Sequence, residues 1–222
     1  MRFQDAAKDA RAIVYAAIQT DPLVVRAATL LATASVPQRV LARAVMNGET
    51  TDADAWRATF PTLFGETADP AARERSEAIL AASLEVADRG EQVRSQVRGA
   101  LVEELTAQLL AKQVPASLVK RERRVLFDGV KAEIHPYDVT IERAGANAAL
   151  DCKWGARGIN ADVLHQLDDA RANAAAEGEK LTVALVVFDA ARSCKVRLAR
   201  QTAPRAGTGL ISLESLDRLA GR

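Results

Sequence analysis

The sequence is poor in aromatic residues, cysteine and histidine. Phe, Trp and Tyr make up 4% of its 222 residues, and it holds two cysteines and two histidines. Two thiols, Cys152 and Cys194, cannot build a disulfide framework in a chain of this size, and no Cys or His pair has metal-site spacing. Long apolar runs are missing as well. The stretch at residues 181–188 is far shorter than the roughly 20 residues a bilayer-crossing helix needs. The opening Met1-Arg2-Phe3-Gln4-Asp5 carries no apolar leader. The expectation is a reducing, cytoplasmic protein with no membrane partner. An excess of charge of one sign is also absent. The formal net charge is +1; the first 98 residues carry 12 Lys and Arg against 13 Asp and Glu, and the remainder 18 against 16. Any polyanion would have to be held by local clusters rather than by bulk charge.

What is present is alanine, with helical periodicity through the first half. Apolar residues recur at helical spacing over residues 4–18. Asp21-Pro22 and Asp69-Pro70 are each an N-cap followed by proline at the first helical position. Val36-Pro37 opens a helix that Asn47-Gly48 closes, and Thr51-Asp52 begins a short one. Pro61 and Gly65 make residues 60–65 a loop. A long helical pattern then runs to about Lys112, with a break near Gly90. Residues 1–94 read as a helical region serving oligomerisation or specificity, with apolar helix faces suited to a homodimer. Val36 to Phe60 loosely suggests a helix-turn-helix, whose second helix would carry Arg57.

The character changes after Pro115. Residues 125–127, 134–141 and 148–154 read as strands, with Asp128-Gly129 as a hairpin turn. Asn160 caps a helix over residues 161–176 that Gly178 closes. The apolar, β-branched run at 181–188 reads as a strand buried on both faces. Residues 196–198 and 210–212 suggest two further short strands, before a short helix at 213–219. Residues 95–222 therefore form an α/β domain in the order αβββαβ.

Within that order, chemistry concentrates on two strands. Side chains alternate along a strand, so Asp151 and Lys153 share a face while Cys152 points to the other. Asp138 sits in the preceding strand, inside Tyr137-Asp138-Val139, where strand propensity is high and aspartate disfavoured. Two carboxylates on neighbouring strands can share a divalent ion, and a lysine beside them can orient a water. A simpler reading makes Asp151 and Lys153 an ion pair on an edge strand. Against it, the flanking segments read as core, where a charged pair is costly.

These residues resemble the PD-(D/E)xK nuclease superfamily, in its Mrr- and RecB-like flavour. The matching positions are Gly99-x-x-x-Glu103 on a helix, Asp138 on a strand, Asp151-Cys152-Lys153 on the next strand and Gln166-Leu167 on the following helix. Gly209-Leu210-Ile211-Ser212 with Leu213-Glu214-Ser215-Leu216 is similar to the Mrr-like ending. The resemblance covers residues 95–220 and departs from the family name at one point: Pro136 stands two residues before Asp138. It implies a restriction endonuclease-like core with a mixed central sheet. Asp138, Asp151, the Cys152 carbonyl and Glu103 (or its neighbour Glu104) would ligate Mg²⁺, for which Mn²⁺ substitutes. Lys153 would position the attacking water, and Gln166 would contact phosphate or steady the lysine.

The expected activity is metal-dependent endonucleolytic hydrolysis of DNA, in restriction, phage defence or repair. An exonuclease or junction resolvase with the same site is the enzymatic alternative, and a non-catalytic nucleic-acid-binding scaffold the other. RNA is not separated from DNA. Lys120, Arg121, Arg123, Arg124, Arg157 and Asn160 are candidate nucleic-acid contacts, and Lys195, Arg197, Arg200 and Arg205 form a second basic stretch. Trp154 is read as packing, and His135 and His165 as incidental. A protein activator is conceivable, and no residue points to one.

Overall fold

A computed structural model describes the backbone of residues 1–6, 10–130, 135–201 and 208–222, and the side chains of the same residues apart from 10–13. Ile134, where the second strand was expected to start, and Arg205 of the second basic stretch lie outside the described residues. The chain divides into two compact units, Ala10–Gln108 and Met1–Asp9 with Leu109–Arg222.

The first unit is helical: α1 (Ala10–Gln19), α2 (Pro22–Leu31), α3 (Val36–Asn47), α4 (Ala53–Thr59), α5 (Pro61–Phe64), α6 (Pro70–Ala87) and most of α7 (Glu91–Leu110). Its helices are held by packing more than by propensity. α2 buries Leu23, Val24, Ala27, Ala28 and Leu31, α3 buries Leu41, Ala42, Val45 and Met46, and both pack on α6, which buries Ile79, Leu80 and Val86. Alanine in these stripes lets the helices approach closely. The cap-plus-proline signals stand where expected: Asp21 accepts from the Leu23 amide at 2.8 Å and Asp69 from the Ala72 amide at 2.8 Å. Two expectations change. The loop at 60–65 contains α5, with proline again at the first helical position. Arg57, the residue a DNA-reading helix would have offered, forms a bidentate pair with Glu77 at 2.8–3.2 Å.

Asp21 does two jobs, since Arg89 also pairs with its carboxylate. That hydrogen bond, with help from the Leu23 amide, holds the Asp21 carboxyl below its ordinary value. A depressed folded-state value stabilises above the ordinary one, and the contribution is lost as pH falls through the folded value. Asp21→Ala is expected to lower unfolding free energy by about 1 kcal/mol for the cap, and somewhat more for the ion pair. Urea titration at pH 7 and pH 3 should show the gap from wild type narrowing at the lower pH. An equal gap at both would dismiss the pairing.

The second unit is built on a six-stranded mixed sheet with the order β1-β2-β3-β4-β5-β6. The strands are β1 (Arg2–Asp5), β2 (Val119–Leu126), β3 (Tyr137–Ile141), β4 (Asn147–Lys153), β5 (Leu181–Val187) and β6 (Gly209–Ser212). The first four run antiparallel in sequence, and β5 and β6 lie parallel to β4. α8 (Ala161–Ala176) makes the crossover from β4 to β5, capped by Asn160, whose side chain accepts from the Val163 amide at 3.0 Å. α9 (Ala191–Ala199) links β5 to β6, and a 3-10 helix (Leu213–Ala220) follows. Leu164, Leu167, Ala170 and Ala174 of α8 pack with Leu181, Val183, Leu185 and Val187 of β5 as the core. The order α7-β2-β3-β4-α8-β5 is the expected αβββαβ order, in an α/β fold.

Three local expectations are corrected. Residues 4 and 5, expected to open a helix over 4–18, belong instead to an edge strand of residues 2–5 paired with β2, and α1 covers Ala10–Gln19. The strand expected at 125–127 is longer, taking in the basic run at 120–124. Asp128-Gly129 turns the chain as expected, with Gly129 at φ +72° and the Val130 amide donating to the Phe127 carbonyl at 3.3 Å; residues 131–134 lie outside the described ones. Residues 196–198 lie in α9 rather than in a strand.

Candidate active site

β4 lies between β3 and β5, so Asp151 and Lys153 are on a central strand and the edge-strand ion-pair reading falls away. Lys153 donates to the Asp151 carboxylate, which places both side chains on one face. The β3–β4 ladder pairs Val139 with Leu150, Thr140 with Ala149 and Ile141 with Ala148. One residue beyond it, Asp138 accepts the Cys152 amide with its side chain. That bond stands in for the next rung and turns the carboxylate along the strand seam. The Lys153 ammonium lies 4.0 Å from Asp138.

Burial disfavours the charge on Lys153, but Asp138 and Asp151 together outweigh it and hold the amine above its ordinary value. Asp151 is buried, and Asp138 and Lys153 are half-buried. The result is an ammonium pinned between two carboxylates at the end of a central strand.

The lysine stem is seated by the following turn, a 3-10 turn at Ala156–Gly158. A Cβ on Gly158 would lie 2.8–2.9 Å from Cβ, Cγ and Cδ of Lys153, so only glycine lets the turn close over the stem. The turn is itself anchored. The buried Asp189, just past β5, accepts the Ala156 amide at 2.9 Å and the Ala190 amide at 2.7 Å. Trp154 stacks on Phe188 with ring centroids 5.0 Å apart, as its packing reading requires.

Sequence reasoning passed over Glu122. It sits in the middle of β2, and its carboxylate comes within 4.8 Å of that of Asp138. Among the described residues it is the one non-glycine with positive φ, at 51°. Such a conformation costs of order 1–3 kcal/mol and persists only where the surroundings impose it. The ladder pairs Arg121 with Val139 and Arg123 with Tyr137 on either side of it. The available signal was a lone acid inside Lys120-Arg121-Glu122-Arg123-Arg124, which reads as a surface run until the strand is placed beside Asp138. Gly158 left no signal, because its requirement comes from a contact across a turn.

The other candidates fall as follows. Glu103 lies on α7 in the helical unit, buried, accepting the Tyr15 hydroxyl and the Gln19 amide, the latter at 2.7 Å. Gly99, one turn earlier, leaves room for that hydroxyl, which would stand 3.1 Å from a Cβ there. Glu104 accepts from Gln108 at 2.7 Å. The Gln166 side chain donates to the His135 carbonyl at 3.0 Å, fixing α8 to the segment before β3. Tyr137 adds a second tie, from its hydroxyl to the Gln166 carbonyl at 3.2 Å. The Cys152 side chain is buried. In the basic run, Arg123 binds Glu142 at 2.6 Å and also Asp5, while Lys120 is exposed. Arg157 is exposed on the 156–158 turn, and Asn160 is the α8 cap.

The donors near Lys153 are hard carboxylate oxygens, which fit Mg²⁺ or Mn²⁺ rather than a soft thiophilic ion. Among the described residues no helix is long and apolar enough to cross a membrane.

No protein-family model matches the chain, and no curated protein matches it in sequence. Among solved structures, the crystal structure of protein VC1899 from Vibrio cholerae is similar at 17% identity and a TM-score of 0.44. The likeness covers 99% of this chain and 57% of that one, so the present chain spans little more than half of its length.

Proposed function

We propose that the chain is a metal-dependent nuclease of the PD-(D/E)xK type that hydrolyses DNA phosphodiester bonds internally. The observation that carries this reading is the Asp138–Lys153–Asp151 constellation at the end of a central strand, within an αβββαβ order. Burying charge costs several kcal/mol per ion, offset only by good pairing, so a charged cluster on a central strand favours a functional role.

Asp138 and Asp151, with the Cys152 carbonyl, would hold Mg²⁺, and Glu122 stands close enough to Asp138 to reach the ion directly or through water. Glu103 enters as a ligand through the family resemblance. The ion would supply charge stabilisation on the scissile phosphate and acidify a bound water. Lys153 would orient the attacking water and offset charge that develops on the phosphate. Asp151 keeps the lysine directed and protonated. Gln166 and Tyr137 would act at one remove, by fixing the segment that leads into β3.

The test is incubation of the purified protein with supercoiled plasmid, linear single and double strands, and RNA, in Mg²⁺, Mn²⁺ or EDTA, beside Asp151→Ala. Metal-dependent nicking and linearisation of plasmid, absent in the variant and in EDTA, is the expected result. Degradation of linear substrates alone would move the reading to an exonuclease. No cutting of any substrate, with no Mn²⁺ binding by calorimetry, would leave a binding scaffold and overturn it.

A further inference from the structure

The 156–158 turn has two sides. One packs Gly158 on the lysine stem; the other carries Arg157 into a cleft of about 410 Å³ against α9. The cleft is lined by Arg157, Arg192, Arg197 and Arg200, with Ser193 and Val196 between them. Arg197 fixes α9 to the turn, its Nε donating to the Ile159 carbonyl at 2.9 Å. Among the described residues no carboxylate pairs with Arg157, Arg192 or Arg200, all three exposed, although the chain as a whole is nearly neutral. Arg26, Arg57 and Arg94, by contrast, each have an acidic partner. Four guanidinium groups around one concavity repel one another unless an anion neutralises them.

We propose that this cleft seats the sugar–phosphate backbone of the DNA substrate as it passes the active site. Its ligand is named on the strength of the nuclease reading. Arg192, Val196 and Arg200 recur every four residues and form one stripe along α9. Arg192 and Arg200 are therefore about 12 Å apart along the helix axis, at 1.5 Å per residue. That spans roughly three to four phosphates of one strand, at about 3.4 Å of duplex axis each. Guanidinium forks match phosphate oxygens bidentately. Val196, 47% exposed in the middle of the stripe, offers an apolar rest for a deoxyribose. Contacts to phosphate position the strand and do not select sequence. The turn then couples the two tasks: a phosphate bound by Arg157 is held four residues from Lys153.

The experiment measures binding of a labelled duplex 20-mer and of its single strand in EDTA, from 50 to 300 mM salt. Wild type is compared with Arg192→Gln/Arg200→Gln and with a charge-matched control, Arg73→Gln/Arg75→Gln, on the exposed face of α6 in the helical unit. Loss of two phosphate contacts should lower the duplex salt slope by about 1.8, and weaken binding roughly 50-fold near 0.1 M salt. The control should stay within about twofold. Equal loss in both variants would make the effect one of bulk charge and overturn the proposal, as would failure of the wild type to bind either probe. Because the assay needs neither metal nor cutting, its outcome is separable from that of the nuclease reading, which Mn²⁺ calorimetry judges independently.

Discussion

Lys153→Ala is expected to reduce metal-dependent cutting by about 10³-fold or more, and to make the stability of the sheet unit depend on divalent metal. The first effect follows from the loss of a preorganised charge and water-orienting group, each of which is typically worth 10²–10⁴-fold. The second follows from the geometry. Lys153 donates to Asp151 and stands 4.0 Å from Asp138, whose carboxylate lies within 4.8 Å of that of Glu122. Without the ammonium, Asp138 and Asp151 lose the positive charge that stands between them. Removing one member of a buried pair costs about 3–5 kcal/mol; with the lysine side chain 27% exposed, about 1–3 kcal/mol is the better expectation. A divalent ion would replace the missing charge, so Mn²⁺ should stabilise the variant more than the wild type. For scale, ligand at 100 times its dissociation constant adds about 2.7 kcal/mol. Urea unfolding of both proteins in EDTA and in Mn²⁺ reads this directly. In metal-free wild type the lysine value is raised, so its pairing is fully present below the ordinary 10.5 and is lost only as pH climbs through the folded value. Stability in EDTA should therefore not fall through Lys153 between pH 6 and 9. A variant that cuts within tenfold of wild type, or gains no more from Mn²⁺ than wild type does, would refute this account of the lysine.

Local chemistry made part of this molecule legible. Asp21-Pro22, Asp69-Pro70 and Asn160 announce helix starts through caps that need no tertiary information, and each stands where expected. The apolar run at 181–188 could only be buried on two faces, and it became the inner strand β5. Asp151 and Lys153 were readable as one face because strand periodicity is two. Non-local demands were hidden. Residues 2–5 carry too short an alternation to stand out from the helix that follows, and their partner strand lies more than a hundred residues away in sequence. Residues 196–198 alternate like a strand, but Arg192, Val196 and Arg200 recur at helical spacing, and the longer pattern prevails. Glu122 was masked by its charged neighbours, since only the register of β2 on β3 brings it to Asp138.

The sheet order also explains why the charges gather. A meander of β2, β3 and β4 brings three acids from three consecutive strands to one end, while the parallel β5 supplies Asp189 at the end of its own run. Asp189 bears no catalytic role in this scheme. By accepting the Ala156 and Ala190 amides it ties the turn after β4 to the start of α9, so one buried carboxylate fixes both the lysine support and one wall of the arginine cleft.

That support leads to the sharpest steric expectation. Gly158→Ala should lower kcat about 10²-fold while leaving KM and Mn²⁺ affinity within about threefold, since a displacement of about 1 Å in a reacting group is worth that much. The backbone at Gly158 has no positive φ, so alanine meets no conformational penalty there, and the effect is confined to the clash of the new methyl with the Lys153 stem at 2.8–2.9 Å. The clash involves Cβ, Cγ and Cδ rather than the mobile end of the chain, so the stem must swing and the ammonium must leave its place between Asp151 and Asp138. The Asn160 cap and the Asp189 anchor are untouched, and the loss in unfolding free energy should stay near 1 kcal/mol, at the low end for overpacking. A double-mutant cycle separates this from general damage. If Gly158 acts through the lysine, Lys153→Ala/Gly158→Ala will be no slower than Lys153→Ala alone, because no ammonium is left to displace and only the Cβ contact at 2.9 Å remains. Additive losses in the cycle, or a parallel fall in Mn²⁺ affinity, would instead mean that the turn shapes the carboxylates, and Gly158 would cease to be a positioning residue for Lys153.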